Sequence, residues 1–473
     1  MPTSIVWFRN DLRLADNPAL TAGARRGPIV PVYILDQETE GLRARGGASR
    51  WWLHQSLTAL DLSLRRYGSR LVLRQGKAEQ VLPALASEYS ASAIYWNRAY
   101  DQGSVEQERR LQQLLTHRGV STESFKGNFL FEPWEVKTSA DAPFKVFTPF
   151  WRACRALPPP PLALPAPQQL SSPANDLADD TLASWQLLPN APDWAGGLRE
   201  TWTPGEAGAT ERLSTFLDGA LARYRQERDA PAGATTSRLS PHLAFGEISP
   251  RQIWHAALAA GDGAAVEKFL SELGWREFSC NLLFHSGDLA QRNFRPEFDA
   301  FPWREDSGAL KAWQQGRTGF PIIDAGMREL WATGWMHNRV RMIVASFLTK
   351  DLLIDWRAGE RWFWDTLVDA DPANNPVNWQ WVAGCGADAA PYFRIFNPVL
   401  QAKKIDPRGD YVRRWIPELA ALPEDTVHQP WKAGPSVAVA YPTPIVDHAS
   451  ARARALDAFH GLKKARPDRS DPA

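Results

Sequence analysis

Cysteine is scarce in this chain of 473 residues: Cys154, Cys280 and Cys385 are the whole complement. Thiols so scattered build neither a disulfide framework nor a metal cluster, so no metal is expected and a reducing cytoplasm is the expected compartment. No window approaches about 18 uninterrupted apolar residues, which leaves no membrane-spanning helix to expect. Arg9, Asp11 and Arg13 directly follow the first apolar run, which is not the pattern of a signal peptide. A net charge of +1 excludes a generic polycation, so any nucleic-acid contact has to be local. No G-x-G-x-x-G follows the first apolar run, and phosphate-loop, zinc-spacing and Ser-His-Asp patterns are also missing. Hydride transfer on a dinucleotide, hydrolysis and phosphoryl transfer therefore lack their usual residues.

Tryptophan, by contrast, is abundant, with 22 residues beside 37 prolines. Indoles serve first as core and interface area, and otherwise as base-stacking or redox groups. Ser4–Phe8, Ile29–Leu35, Arg70–Arg74, Ala93–Trp96 and Ser121–Phe125 read as strands, with helical spacing in Arg50–Tyr67, Ala78–Glu88 and Val105–Arg118. This alternation predicts an α/β N-terminal domain, a doubly wound parallel sheet, over 1–130. Seven prolines within 158–173 predict a connector over 131–204. Helical spacing then takes over in Glu211–Arg228, Ser249–Ala260, Ala264–His285, Leu310–Gln315, Ile323–Thr333, Asn338–Leu353 and Trp362–Leu367. It predicts a large all-α C-terminal domain over 205–450, followed by a tail over 451–473.

Five stretches carry chemistry. Thr235 to Pro241 gathers four hydroxyls and the Arg238 guanidinium, a seat for a pyrophosphate or a capped loop. Glu272, Trp275, Arg276 and Ser279 share one helical face, as a salt bridge beside a core indole or as a grip on an extruded base. Asn338 and Met342 lie four apart, with Arg339 and Arg341 supplying charge, while His337 reads as structural. Between Asp369 and Trp381 the acidic pair lacks the glycine and terminal glutamate of a calcium loop. Asn374, Asn375 and Asn378 there read as a turn or, if buried, as amides that need partners such as a heteroaromatic cofactor edge. From Arg394 to Arg414 six basic residues face two acidic ones, a solvated face or a grip on a phosphate backbone.

In this order the motifs closely resemble those of the photolyase/cryptochrome family, from about residue 4 to 450. The matching pieces are Val6 to Arg13, Thr236 to Pro241, Trp275 to Phe278, Gly334 to Arg339 and Asp388 to Pro398. The resemblance implies an antenna-binding α/β domain and a helical domain holding FAD. Tyr224, Thr236, Ser237, Arg238, Leu239 and Ser240 would hold the FAD phosphates. Asp369, Ala370 and Asp371 would flank the flavin and its adenosine, with Trp275 and Arg339 nearby, and Asn375 would face the flavin N5. The reaction implied is light-driven electron transfer from reduced FAD to a cyclobutane pyrimidine dimer flipped out of DNA. Glu272 would hydrogen-bond the lesion, Trp275 and Trp381 would pack against its bases, and Asn338 and Met342 would line its cavity. Arg228, Arg276, Arg339 and Arg394 would hold phosphates, and Trp379, Trp356 and Trp303 would re-reduce oxidised flavin.

Family members that repair (6-4) photoproducts carry two histidines where this chain has Asn338 and Met342, which points to cyclobutane dimers. The expected subgroup is the bacterial class I enzymes or their sister class III; the alternative is a cryptochrome, a blue-light signalling receptor without repair activity. For the antenna, 5,10-methenyltetrahydrofolate is the first expectation, with 8-hydroxy-deazaflavin or no chromophore as alternatives. Gly103-Ser104 replaces the Asn-Glu pair of folate-binding relatives, and a Cys-Lys pair is missing near Ala290-Gln291-Arg292. The expected partner is dimer-containing DNA, with no membrane, no obligate protein partner and a monomeric state.

Overall fold

Five strands of the first 125 residues form one parallel sheet in the computed structural model, which describes residues 2–173, 180–389, 393–433 and 441–464. The strands β1 (Thr3–Phe8), β2 (Ile29–Leu35), β3 (Val72–Gln75), β4 (Ala91–Asn97) and β5 (Ser121–Phe125) lie in the order β3-β2-β1-β4-β5. Every pair is parallel, with Ile5 opposite Val30 on one side and Ile94 on the other. All seven residues of β2 are buried, which explains its unbroken apolar run: helices cover both faces of such sheets. The third strand lies two residues later than its sequence suggested, at Val72 rather than Arg70.

Helices α1 (Pro18–Arg26), α2 (Gly47–Arg66), α3 (Ala78–Glu88) and α4 (Gln102–His117) make the crossovers. The periodicity did not reveal α1, although its start signals are present: Asn17 caps the Leu20 amide and Pro18 opens the helix. Gly23 of α1 lies so close to β1 that a Cβ there would stand 2.7 Å from Val6 Cγ2.

Next come α5 (Phe147–Ala156), α6 (Gly196–Thr201), α7 (Glu206–Thr215), α8 (Tyr224–Glu227), α9 (Ser240–Ala244), α10 (Pro250–Ala260) and α11 (Ala264–Ser286). Two of these, α5 and α6, fall within the stretch the prolines marked as a connector. The helix expected over 211–228 is interrupted, because α7 gives way to a π turn at Phe216–Ala220 and a 3-10 turn before α8. Side-chain packing accounts for the break. Phe216 and Tyr224 both meet the Phe269 ring, at 4.6 and 5.5 Å, and the wider turn brings them there together.

The remaining helices are α12 (Ser307–Gln314), α13 (Pro321–Thr333), α14 (Asn338–Ser346), α15 (Trp356–Thr366), α16 (Asn374–Ala383), α17 (Pro398–Ile405), α18 (Asp410–Trp415) and α19 (His448–Lys464). Again a π turn, Phe347–Asp351, ends α14 where one longer helix was expected. The expected tail begins inside α19, whose Ala451 and Ala455 are buried and whose Phe459 stacks on Phe393 at 4.5 Å. No helix among the described residues is long and apolar enough to cross a membrane.

By contact the chain forms two compact units. The first runs from the N-terminus to Arg225 and adds 236–287 and 368–373; the second holds 226–235, 288–367 and the chain from Asn374 onward.

Candidate functional site

In the first unit the Thr236–Ser240 loop leads into α9. Arg238 adopts a left-handed φ of 50° and Leu239 a right-handed helical conformation. Alternation of this kind turns successive backbone N–H groups into one concavity that suits an anion. With the hydroxyls of Thr236, Ser237 and Ser240 around it, the donor set fits the pyrophosphate of a dinucleotide. Tyr224 is buried against Phe216 and Phe269. Asp369 and Ala370 are buried, and Asp371 accepts the Ala373 amide at 2.9 Å.

Helix α11 carries the Glu272 face. Trp275 lies flat against Phe147 of α5, with centroids 3.7 Å apart and planes within 9°. Gly274 makes room for α5, since a Cβ there would stand 2.5 Å from the Trp151 ring. Glu272 is held by Lys268, one turn earlier, at 2.8 Å. Arg276 makes a contact within the chain: its guanidinium donates to Asn128 O at 2.7 Å and lies over the Phe129 ring. Its neighbour Glu277 accepts the Leu130 and Phe131 amides at 2.9 and 3.2 Å, so α11 grips the 128–131 segment with two consecutive residues. Burial pushes the Glu277 carboxyl up to about 7, against the opposing pull of Arg276 and the two amides.

Where parallel sheets of this order bind ligands, at the β1/β4 switch point, this one is crossed by its own polar side chains. Arg9 donates to Asn97 O and Glu108, and Asn97 donates to Asp11 and Asn17. Arg9 Nε and Nη1 remain buried without a hydrogen-bond partner among the described residues. Elsewhere in the unit a half-exposed Trp134 lies 5.6 Å from Phe284 and 6.1 Å from Tyr100, a shelf of rings beside the start of α4.

In the second unit His337 is held by the fold: its Nε2 donates to Arg228 O at 2.9 Å. Burial holds its imidazole down at about 4, so it is neutral near pH 7 and its role is structural. Arg339 pairs with Asp229 at 2.6 Å. Burial opposes the Asp229 charge, yet Arg339, Arg228 and His337 hold its carboxyl below the ordinary range. Asn338 is exposed at the start of α14 and Met342, one turn on, is partly buried.

The asparagines that looked like a turn open α16 instead. Asn375 is buried, and its amide nitrogen donates to Glu360 O at 3.1 Å and to the Glu360 carboxylate at 2.8 Å. With the nitrogen committed, the amide oxygen is oriented as an acceptor, which suits an N–H on a flavin edge. Trp356 is fully buried and bonds Asn293 Oδ1 at 2.9 Å, Trp379 is buried against Phe363 and Trp313, and Trp303 is partly exposed beside Phe301. Gly359 of α15 permits the Trp379 packing, because a Cβ there would stand 2.1 Å from the indole. Trp381 donates to Asp388 O at 3.0 Å, and the exposed Arg394 reaches over its ring. Residues 390–392, which open the Ala390 to Pro398 motif, lie outside the described residues.

The sequence reading missed Phe147, Lys268, Asp229 and Glu360. Phe147 had a visible signal in the aromatic run Phe147 to Trp151, and Lys268 in its place four residues before Glu272 on one helical face.

Residues 4–168 match the family described as DNA photolyase, and residues 269–461 match the FAD binding domain of DNA photolyase. A deoxyribodipyrimidine photo-lyase of Agrobacterium fabrum is 51% identical over 97% of this chain and 98% of its own length. Cryptochrome-1 of Arabidopsis thaliana is 40% identical over 96% of this chain and 70% of its own. A bacterial class III photolyase structure from Agrobacterium tumefaciens superimposes with a TM-score of 0.95 at 50% identity, covering 98% of both chains.

Proposed function

The chain belongs to the photolyase/cryptochrome family, and from that premise we infer that it repairs cyclobutane pyrimidine dimers in DNA with light, as a flavin-dependent carbon–carbon lyase. The observation that carries repair over signalling is the degree of the likeness: 51% identity to the A. fabrum lyase against 40% to the Arabidopsis cryptochrome. We assign the chain to class III, the class of the solved structure it superimposes on.

When bound, FAD supplies a light-driven electron that is given to the dimer and recovered after the cyclobutane ring has opened. Thr236, Ser237, Ser240 and the amides around Arg238 and Leu239 hold its pyrophosphate, with Tyr224 beside them. Asp369, Ala370 and Asp371 flank the flavin and adenosine. Asn375, oriented by Glu360, accepts a hydrogen bond from the flavin edge. Glu272 hydrogen-bonds the lesion, steadied by Lys268, and Trp275 and Trp381 pack against its bases while Asn338 and Met342 line the cavity. Arg228, Arg339 and Arg394 neutralise phosphates. Trp379, Trp356 and Trp303 form a series of indoles whose last member reaches solvent, a path for re-reducing oxidised flavin.

The functional division runs 1–130 for the antenna, 131–204 for the connector and 205–450 for FAD and DNA. A second chromophore, with 5,10-methenyltetrahydrofolate as first choice, would stack on the Trp134 shelf. The free Arg9 donors would instead favour a deazaflavin at the strand ends. The protein acts as a cytoplasmic monomer on dimer-containing DNA.

Illumination of the purified protein with a dimer-containing oligothymidine tests the reading. Flavin absorption with light-dependent loss of dimers is expected; flavin photoreduction without dimer loss would move the chain to the signalling branch.

A further inference from the structure

Lys350 is a fully buried basic side chain that the proposed mechanism leaves without a role. It sits on the π turn Phe347–Asp351, with no exposed surface. Its Nζ donates to Ala383 O at 2.5 Å and lies 3.3 Å from the centroid of the Phe393 ring. No carboxylate pairs with it among the described residues. Asp351, the next residue, turns its carboxylate to His448 of α19, and Arg454 donates to Asp351 O at 2.6 Å. Among the described residues the titratable group facing the amine is the buried Cys385 thiol, and burial pushes the Lys350 ammonium well below its ordinary range.

Ala383 is the last residue of α16, where helix carbonyls run out of intrahelical partners. Nearby, Gln380 O is taken by the amides of Gly384, Cys385 and Gly386. The Gln380 side chain bonds Leu289 O, Arg292 O and the Phe294 amide. Lys350 completes this cap from within the core, and Glu360 fixes the other end of the helix through Asn375. Gly384, at φ +92°, keeps the approach open, since a Cβ there would come 3.1 Å from Phe393 and 3.6 Å from Nζ.

We propose that Lys350 is a positioning residue for repair: by capping the C-terminus of α16 it sets the axial position of that helix, and with it Asn375 and Trp379. The nine residues from Asn375 to Ala383 span about 12 Å of a rigid helix, so a shift at the cap is passed to the amide. The inference rests on the roles given above to Asn375 and Trp379.

The test uses the flavin-loaded full chain. Lys350→Met removes the donor, Lys350→Gln retains a shorter one, and Asn375→Ala is measured alongside. Repair rate and flavin photoreduction rate are read per bound FAD, so that lost cofactor does not count. The expected result is a fall of about tenfold in both rates for Lys350→Met, partial recovery in Lys350→Gln, and an altered fine structure of the flavin visible band in both. Unchanged rates and spectrum per bound FAD, with only a lower melting temperature, would overturn the proposal. Failure of both lysine variants to fold would also overturn it, assigning Lys350 to the core alone. If Asn375→Ala itself leaves repair per FAD unchanged, the role of Asn375 fails instead, and with it the premise.

Discussion

Replacing Glu277 by glutamine exchanges a buried carboxyl for an amide of nearly the same shape that still accepts from the Leu130 and Phe131 amides. The groups facing it are Arg276, Lys126 and the thiols of Cys154 and Cys280. Burial outweighs Arg276 and the amides and raises the carboxyl from 4.5 to about 7. A folded-state value above the unfolded one means that the neutral carboxyl favours folding. Its contribution is fully present below pH 4.5 and is lost as the pH rises through about 7. The rise from 4.5 to about 7, at about 1.4 kcal/mol for each tenfold change in proton affinity, amounts to about 3 kcal/mol. Glu277→Gln does not ionise, so it should be more stable than the parent by about 3 kcal/mol near pH 8 and by less than about 1 kcal/mol near pH 5. Urea midpoints of the flavin-loaded proteins at the two pH values measure this. A variant weaker than the parent at pH 8, or offset equally at both, would show that the fold prefers the ionised carboxylate and would refute the reasoning.

Trp356→Phe should slow photoreduction of oxidised flavin by at least about tenfold while leaving repair by chemically reduced enzyme unchanged, as read by transient absorption and dimer loss. Gly359→Ala places a methyl against the Trp379 indole; a cost of about 1–3 kcal/mol is expected, read by thermal melting. Arg394→Ala should weaken binding to damaged and undamaged DNA alike and lower the slope of log affinity against log salt by about one, measured by fluorescence anisotropy.

The sheet was readable because β2, buried along its whole length, leaves a continuous hydrophobic segment, as parallel strands covered on both faces do. Long helices with wide apolar faces, such as α11 and α13, were readable for the same reason. The polar β5 lies at the sheet edge with its residues exposed or half-buried. Where packing between distant residues decides, the sequence was silent. The π turns at Phe216 and Phe347 depend on side chains far along the chain, and no local propensity marks them. The start of α16 looked like a turn, since asparagine and proline usually end helices. Here Pro376 sits in the first turn, where it is tolerated, and the Asn375 amide is satisfied by Glu360. In the candidate site, residue types were readable but commitments were not: nothing local shows that Arg276 is bound to Asn128 O.

The stack of Trp275 on Phe147 has a consequence for how a lesion is recognised. One face of the indole is already occupied by a ring at contact distance and has no room for a nucleobase. A dimer brings two pyrimidines, 5′ and 3′, and this residue has room for one of them. On the reading proposed above, the two bases of the lesion would meet different surfaces, and the direction of the damaged strand would matter to binding.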